Sequence, residues 1–382
     1  MAKELGIGTF KTYNDGQNVW YYQGKRSQYS GSTPPVDAGT LGDFAASQTR
    51  LEQMAATVPL DAPWQAPDGP TLDGSTFQSW ISENVVTPGA RFVWSLASIG
   101  TLGATPSQVS LLYWLFYLHT AGGFNQLLDT AGGAQDSRIV GGSQALSLAI
   151  AKQLGRRVIK SSPVRLIDQR KRAHVRVVSD RYEIECKRVV IAMHPGSARF
   201  MEFRPALPTK RDVLQRVIGT GCAWKVNVVY DEPFWRRDGL TGQAIADPSI
   251  AAPIGFTFDN SPPDGSPGVL ISFIYTTDAL GPVIDDAARR RQAVLDGLAR
   301  LFGPKALKPQ GYLEQNWAHE PFQDGCESPM SPGTLIDYGS AIAAPIDRIH
   351  FGGTETSDVW ADYMDGGVRA GERVAKDIQA SL

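Results

Sequence analysis

The chain has 382 residues, 42% of them hydrophobic and 20% charged, with a formal net charge of -2. That size exceeds one ordinary hydrophobic core and favours about two domains of a water-soluble globular protein. The balanced charge excludes the basic footprint of a nucleic-acid binder. Three cysteines, Cys186, Cys222 and Cys326, lie far apart with no CxxC pair, which excludes a zinc ribbon or a disulfide framework and suits a reducing compartment.

In chain order, "MAKELGIGTFKTYN" mixes charged and apolar residues from its third position, so no secretory leader is expected there, and cytoplasmic placement is the expectation. Up to about Gly133 the pattern predicts helical patches separated by proline-bearing loops such as "SGSTPPVDAGT" and "LDAPWQAPDGP". The longest apolar run, "VSLLYWLFYL" from Val109 to Leu118, falls well short of the roughly 20 residues that span a bilayer. It predicts a buried helix, with Thr105 as N-cap and Pro106 at the first helical position.

The next segment changes character. "RIVGGSQALSLAIAKQLG" predicts a strand end, a double-glycine turn, Ser143 as N-cap and a helix closed by Gly155. "RVIKSSPVRLIDQ", "AHVRVVS" and "RYEIECKRVVIAMHP" predict strands, with a turn at Asp180 and with "RVVIAM" buried on both faces. Further strands are expected in "AWKVNVVY", "APIGFTFDN" and "GVLISFIYT". They precede a helix whose Val294, Leu295, Leu298, Leu301 and Phe302 share a face, which is stopped by Gly303-Pro304, and whose Arg289-Arg290-Arg291 run reads as a solvated surface. The last segment, "RIHFGG" then "VRAGERVAKDI", is again strand, glycine turn and helix. Such a unit can cradle an anion on a helix N-terminus, although paired glycines before a helix serve tight packing more often.

The stretch "FGGTETSDVWADYMDGGVRAGERVAKDI" strongly resembles the C-terminal flavin-binding motif of the flavin-containing monoamine oxidase family. "AQDSRIVGGSQALSLAIAKQLG", "SPVRLIDQ", "VVIAMHP", "FRPALP", "KVNVVYDEPFWR" and "NWAHEPF" follow in that family's order, so the resemblance covers nearly the whole chain. It implies an α/β and α+β fold: an incomplete FAD-binding, glutathione-reductase-like Rossmann-type domain plus a mixed-sheet and helical substrate domain. The implied boundaries are 1–12, 140–214 and 320–382 for the FAD-binding domain, and 13–139 and 215–319 for the substrate-binding domain.

By the same resemblance, Gly353, Thr354 and Glu355 contact the ribityl-phosphate side of FAD, Met364 donates from its backbone to the flavin ring, and the Val164 backbone meets the adenine. Lys225 matches a lysine that points at the flavin N5 region through a water, whereas period-two alternation by itself would turn it away from the core as a solvated side chain. Tyr363 matches one wall of an aromatic pair that orients the amine. Leu127, Leu128, Gln135, Ile245, Phe256 and Phe273 match positions lining the substrate cavity.

The chain departs from the family in three places. The second aromatic wall falls at Glu327, a carboxylate suited to a cationic substrate group. Cys326 aligns with the cysteine that some relatives join covalently to the flavin; here it is either that link or an ordinary thiol. No G-x-G-x-x-G turn for the FAD diphosphate occurs in the sequence, whose first residues match the family at "AKELG". Three readings follow. One is a flavin amine oxidase whose partners are a small-molecule amine and oxygen, with a homo-oligomer or a complementing N-terminal segment completing it. Another is a flavin-free pseudoenzyme or subunit, and the third is a different oxidation within the superfamily, such as that of an amino acid. His119, His174, His194, His319 and His350 read as structural, since loss of hydride from a neutral amine requires no general base.

Overall fold

A computed structural model describes residues 1–248, 252–275 and 285–381. The last residue of "GVLISFIYT" and position 251, ahead of "APIGFTFDN", lie outside them. The fold is mixed α/β, and its contacts divide into two units. One comprises Met1–Ala38, Leu128–Gly155 and Cys222–Trp317; the other comprises Gly39–Leu127, Arg156–Gly221 and Ala318–Leu382.

The first unit is organised by a seven-stranded sheet. Its order is Gly311–Asn316, Ala223–Tyr230, Gly268–Tyr275, Ile254–Asp259, Leu240–Ala246, Gln17–Tyr22 and Lys25–Tyr29. All neighbours are antiparallel except Leu240–Ala246 with Gln17–Tyr22. Period-two alternation sends Val226, Val228 and Tyr230 to one face, where they pack with Leu270 and Ile274 against the helix Ala287–Phe302. Val294, Leu295, Leu298, Leu301 and Phe302 of that helix are all buried, as their spacing predicts, and Gly303 stops it at φ 92°.

Three expectations are corrected in this unit. The hairpin of Gln17–Tyr22 and Lys25–Tyr29 occupies a region read as helical patches. Its signal is the two-residue turn at Gln23-Gly24, whose φ values of 49° and 75° match the twist of antiparallel strands. Arg290, in the supposedly solvated basic run, is 4% exposed: its Nε donates to Glu314 Oε2 at 2.9 Å and its guanidinium stacks 3.9 Å from the Trp224 ring. A helix carrying three consecutive arginines must turn one of them toward the sheet, and a facing carboxylate and indole make that tolerable. The predicted turn and helix at 141–154 form, with Gly141 and Gly142 both at positive φ, but Ser143 sits in helical backbone and makes no side-chain cap.

The second unit holds a four-stranded sheet, in the order Glu183–Cys186, Val175–Ser179, Val164–Asp168 and Glu202–Arg204. It also holds a parallel pair of Val189–Ile191 with Ile349–Phe351. "RVVIAM" is not buried on both faces: Ile191 is 5% exposed but Val190 is 44% exposed. A parallel strand is buried throughout only where layers cover both sides, and here one side is covered. The helices Phe77–Asn84, Pro88–Leu102 and Leu111–Thr120 enclose an aromatic core in which Phe77 stacks on Trp114 at 4.5 Å and Trp94 meets Phe124 edge-on at 4.9 Å. The apolar run is a buried helix as predicted, yet its N-cap is Ser110, whose Oγ accepts from the Tyr113 amide at 2.9 Å. Thr105 and Pro106 instead open a preceding turn, where the Thr105 amide donates to Gln108 Oε1 at 2.9 Å. No helix among the described residues is long and apolar enough to cross a membrane.

The first unit depends on a buried charge. Asp259, 1% exposed, accepts from Trp235 Nε1 at 2.8 Å, from Arg236 Nε at 2.7 Å and Nη2 at 3.0 Å, and from the Ser261 amide at 2.9 Å. Removing the carboxylate strands the Trp235 and Ser261 donors and a guanidinium. Asp259→Ala is therefore expected to lose about 3–5 kcal/mol in urea unfolding, and a loss within about 1 kcal/mol, the level of an exposed pair, would contradict the assignment.

Candidate active site

In the second unit the strand Ile349–Phe351 leads through Gly352 and Gly353 into a short 3-10 turn, Thr354–Thr356. An extended stretch follows, and then the helix Met364–Ala380. Gly352 permits the close approach of strand and helix, since a Cβ there would lie 3.3 Å from both Val190 and Val374 side chains. A Cβ at Gly353 would run into the carboxylate oxygens of Glu355, which folds back beneath the turn. Thr356 Oγ1 donates to the Gly353 carbonyl at 2.7 Å, and Thr354 Oγ1 to the Tyr363 carbonyl at 2.6 Å. Arg373, on the terminal helix, donates to the Phe351 carbonyl at 3.0 Å and to Thr356 Oγ1 at 2.9 Å.

Glu355 is 7% exposed, and burial pushes its carboxyl up to about 8 against the opposing pull of Arg211 and Arg373. It therefore carries its proton near neutral pH. Arg211 is itself 2% exposed; its guanidinium stacks 3.5 Å from the Phe351 ring and donates to the carbonyls of Ala341 at 3.1 Å and Ile342 at 2.7 Å. Burial brings it down to about 10.

The helix Met364–Ala380 starts after Tyr363, which is extended and provides no side-chain cap, and Met364 is 54% exposed. Its first-turn amides are thus presented without a side-chain acceptor, at the positive end of a long helix. Tyr363 packs edge-on to Trp360 at 5.0 Å and stacks on Tyr117 at 6.4 Å. Burial raises the Tyr363 phenol strongly, and the negative charges of Glu327 and Asp362 add to the rise. Cys326 is a half-buried cysteine outside any disulfide, its backbone bridges to Gly221, and Glu327 follows at φ 46°. Val164 packs at the margin of the cluster around Ile191 and Phe351, and Leu127 is fully buried. Beside Val164, an open groove of about 550 Å³ is lined by Arg165, Ser197, Phe200, His319, Phe322 and Asp324 among others. Arg165 is held there by Asp180 at 2.7 and 2.8 Å.

In the first unit, four of the expected residues form a single row across the sheet. Lys225 opposes Phe273, Phe273 opposes Phe256, and Phe256 opposes Ile245. Directly opposed residues of antiparallel strands share a face, so the four side chains stand together on the face away from the helix Ala287–Phe302. Lys225 does point away from the core, as alternation requires, and the row it joins is apolar from Phe273 to Ile245, with Phe258 and Ile271 half-buried on the same face and the polar Gln315 opposite Lys225 on its other side. Its Nζ lies 5.7 Å from the Phe273 ring centre. Leu128 and Gln135 belong to this unit as well, the Gln135 carbonyl accepting from Thr12 Oγ1 at 2.7 Å.

The sequence reading missed Tyr117, Trp360, Asp362 and Arg211. Trp360 and Asp362 flank Tyr363 inside the quoted motif and were within reach, whereas Tyr117 and Arg211 carry no local signal. Tyr117 reads as one more apolar residue of its helix, and a buried arginine looks like any other in a basic run.

A strand, a glycine turn and a helix start without a side-chain cap, with the Glu355 carboxyl beneath, make up an arrangement that can present backbone donors to a bound group. Those groups fit the flavin end of FAD, offering backbone donors and no side chain at Gly353. Residues 1–379 match the family described as flavin containing amine oxidoreductase, and the chain belongs to that family. It is 37% identical over 383 residues to a protein of Mycobacterium tuberculosis named flavin-containing monoamine oxidase AofH, spanning 100% of this chain and 83% of that one. Among solved structures it is similar to cyclohexylamine oxidase from Brevibacterium oxydans IH-35A, with a TM-score of 0.94, 30% identity and coverage of 100% and 84% of the two chains. A putrescine oxidase bound to putrescine matches with a TM-score of 0.92 and 28% identity over 99% and 84%.

The raised Glu355 carboxyl has a consequence for stability. In the unfolded chain a glutamate titrates at about 4.3, so the folded state holds this proton to higher pH than the unfolded state. The associated stabilisation is complete below the unfolded value and is lost as pH rises toward about 8. Glu355→Gln lacks this loss, so the melting temperature of the native protein should fall relative to the variant between about pH 5 and pH 8. A difference that stays constant over that range would show that Glu355 is already ionised in the fold.

Proposed function

We propose that this protein carries out FAD-dependent oxidative deamination of a primary or secondary amine to the imine or aldehyde, with oxygen reduced to hydrogen peroxide. The observation that carries the reading is the coincidence, in one family member, of the Gly353–Glu355 turn with Tyr363 and of Lys225 with an apolar cross-strand row. FAD, when bound, supplies the acceptor for a hydride equivalent from the carbon next to nitrogen.

The roles of the residues follow from their chemistry. Gly353, Thr354, Glu355 and the Met364 amide would hold the ribityl and ring side of the cofactor, and the Val164 backbone the adenine. Tyr363 offers a π face that orients the amine nitrogen. Lys225 brings a fixed positive charge to an apolar surface, where it stabilises negative charge more than it would in water. Leu127, Leu128, Gln135, Ile245, Phe256 and Phe273 shape the space for the substrate's carbon skeleton. Glu327 suits a cationic group on the substrate, so a molecule with a second amine is one candidate. The functional division assigns 1–12, 140–214 and 320–382 to cofactor binding, and 13–139 and 215–319 to substrate binding. Cys326, which is in no disulfide, is the candidate for a covalent link to the flavin, the alternative being an ordinary thiol.

A second reading, a flavin-free pseudoenzyme or a subunit whose FAD site another chain completes, draws on the lack of a G-x-G-x-x-G turn within these 382 residues. Absorbance of the purified protein after FAD addition separates the two. A flavin band that stays with the protein through gel filtration and bleaches anaerobically on amine addition is expected for the oxidase; retention of no flavin overturns it for this polypeptide. In the active protein, Lys225→Met should slow flavin reoxidation by oxygen by on the order of 10- to 100-fold, the scale of losing one preorganised charge. Unchanged oxygen kinetics would remove that role. Acid precipitation reports on Cys326: yellow colour released entirely to the supernatant means no covalent link.

A further inference from the structure

The short stretch between the glycine turn and the terminal helix holds two non-glycine residues in left-handed backbone, Trp360 at φ 54° and Asp362 at φ 65°. Left-handed backbone is disfavoured for residues with a Cβ, and such outliers persist only where their surroundings over-determine them. Asp362 is over-determined by its carboxylate. Its Oδ2 accepts from Tyr113 Oη at 3.0 Å and from the Ser328 amide at 2.8 Å, and its Oδ1 accepts from Ser328 Oγ at 2.9 Å. Three separate segments of the second unit therefore meet on one side chain: the helix Leu111–Thr120, the loop after Cys326 and the stretch leading into Tyr363. On its main-chain side the stretch is tied by the Trp360 amide to the Thr120 carbonyl at 3.0 Å and by Thr354 Oγ1 to the Tyr363 carbonyl at 2.6 Å.

The residues on either side of this clamp are those the proposed reaction uses. Tyr363 follows Asp362 directly, and Glu327 precedes the clamped Ser328. Tyr117, from the same helix as Tyr113, stacks on Tyr363 at 6.4 Å. The Glu327 charge lies close enough to raise the phenols of Tyr113, Tyr117 and Tyr363 alike, after burial.

We propose that Asp362 is a positioning residue that sets the separation and orientation of Tyr363 relative to Tyr117 and Glu327, and so shapes the place where the amine is held. The proposal rests on the amine-oxidase reading for its functional half and on packing alone for its structural half. The groove beside Arg165 adjoins Val164, to which the proposed function already gives the adenine, and the exposed Val190 edge has nothing on it that identifies an occupant.

The test uses Asp362→Gly and Asp362→Asn in the flavin-loaded protein. Glycine accepts the left-handed backbone without strain and removes the clamp; asparagine also tolerates that backbone and keeps one acceptor. Two readouts are taken: near-ultraviolet circular dichroism of the aromatic cluster, and kcat and KM for an amine. The glycine variant should keep its far-ultraviolet spectrum, lose part of its near-ultraviolet signal and fall about 10-fold or more in kcat/KM, while asparagine recovers most of both. Tyr113→Phe and Ser328→Ala should lower kcat/KM in the same direction and add little to Asp362→Gly, because residues acting through one side chain are not additive. An unchanged near-ultraviolet signal overturns the proposal whatever the activity, and a changed signal with kcat/KM within about twofold of the native protein overturns its functional half. If the native protein oxidises no amine, the amine-oxidase reading fails, and the near-ultraviolet signal alone decides whether Asp362 positions Tyr363.

Discussion

The carboxyl of Glu355, folded back beneath Gly353 and withdrawn from water, is the constraint on which the turn between the strand Ile349–Phe351 and the terminal helix depends. Burying an ionised carboxylate there would be expensive, and the fold answers by keeping it protonated near neutral pH while Arg211 and Arg373 moderate the shift. A side chain at residue 353 would collide with it, so glycine is demanded by the glutamate as much as by any ligand. The same arginines hold the surroundings: Arg373 ties the terminal helix to the Phe351 carbonyl, and Arg211 stacks on the Phe351 ring. Strand, turn and helix are thereby locked into one rigid piece, which is what presenting backbone donors to a cofactor requires.

The first unit solves a different problem with strand alternation. One face of its sheet is a conventional core against a helix, and the other carries the apolar row of Phe273, Phe256 and Ile245 beside Lys225, with Asn227 and Gln315 next to the lysine. Cross-strand register aligns Lys225, Phe273, Phe256 and Ile245 with no local sequence proximity, because each is contributed by a different strand. A charge on such a face is poorly solvated by its neighbours, and that is the condition under which it has the greatest electrostatic effect. The buried pairs of this unit, Asp259 with Arg236 and Glu314 with Arg290, obey the complementary rule that a desolvated charge needs a partner with good geometry.

Local patterns carried most of the elements. The helix after the third strand group, the glycine stop at Gly303, the buried apolar helix and the closing strand-turn-helix were all legible from periodicity and turn chemistry. The failures have physical causes. Thr105-Pro106 carries a helix-start signal, but the helix begins where Ser110 can reach the Tyr113 amide, five residues on. The early hairpin was hidden because its strands are short and its turn lacks the usual asparagine. Arg290 looked solvated because composition does not say which arginine of a run meets the sheet.

Family membership was therefore available from residues 351–378 and the ordered motifs before them, and so were the strand, glycine turn and helix start, which are contiguous in the chain. Tertiary structure alone decided which distant groups those residues meet. The raised carboxyl of Glu355 follows from burial, which outweighs the opposing pull of Arg211 and Arg373. The row through Lys225 follows from strand register, and the clamp on Asp362 from a helix and a loop that reach it across 249 and 34 residues. Hydrophobic pattern and turn chemistry act over a few residues and can be read along the chain, whereas desolvation and hydrogen-bond partnership depend on what packing brings together.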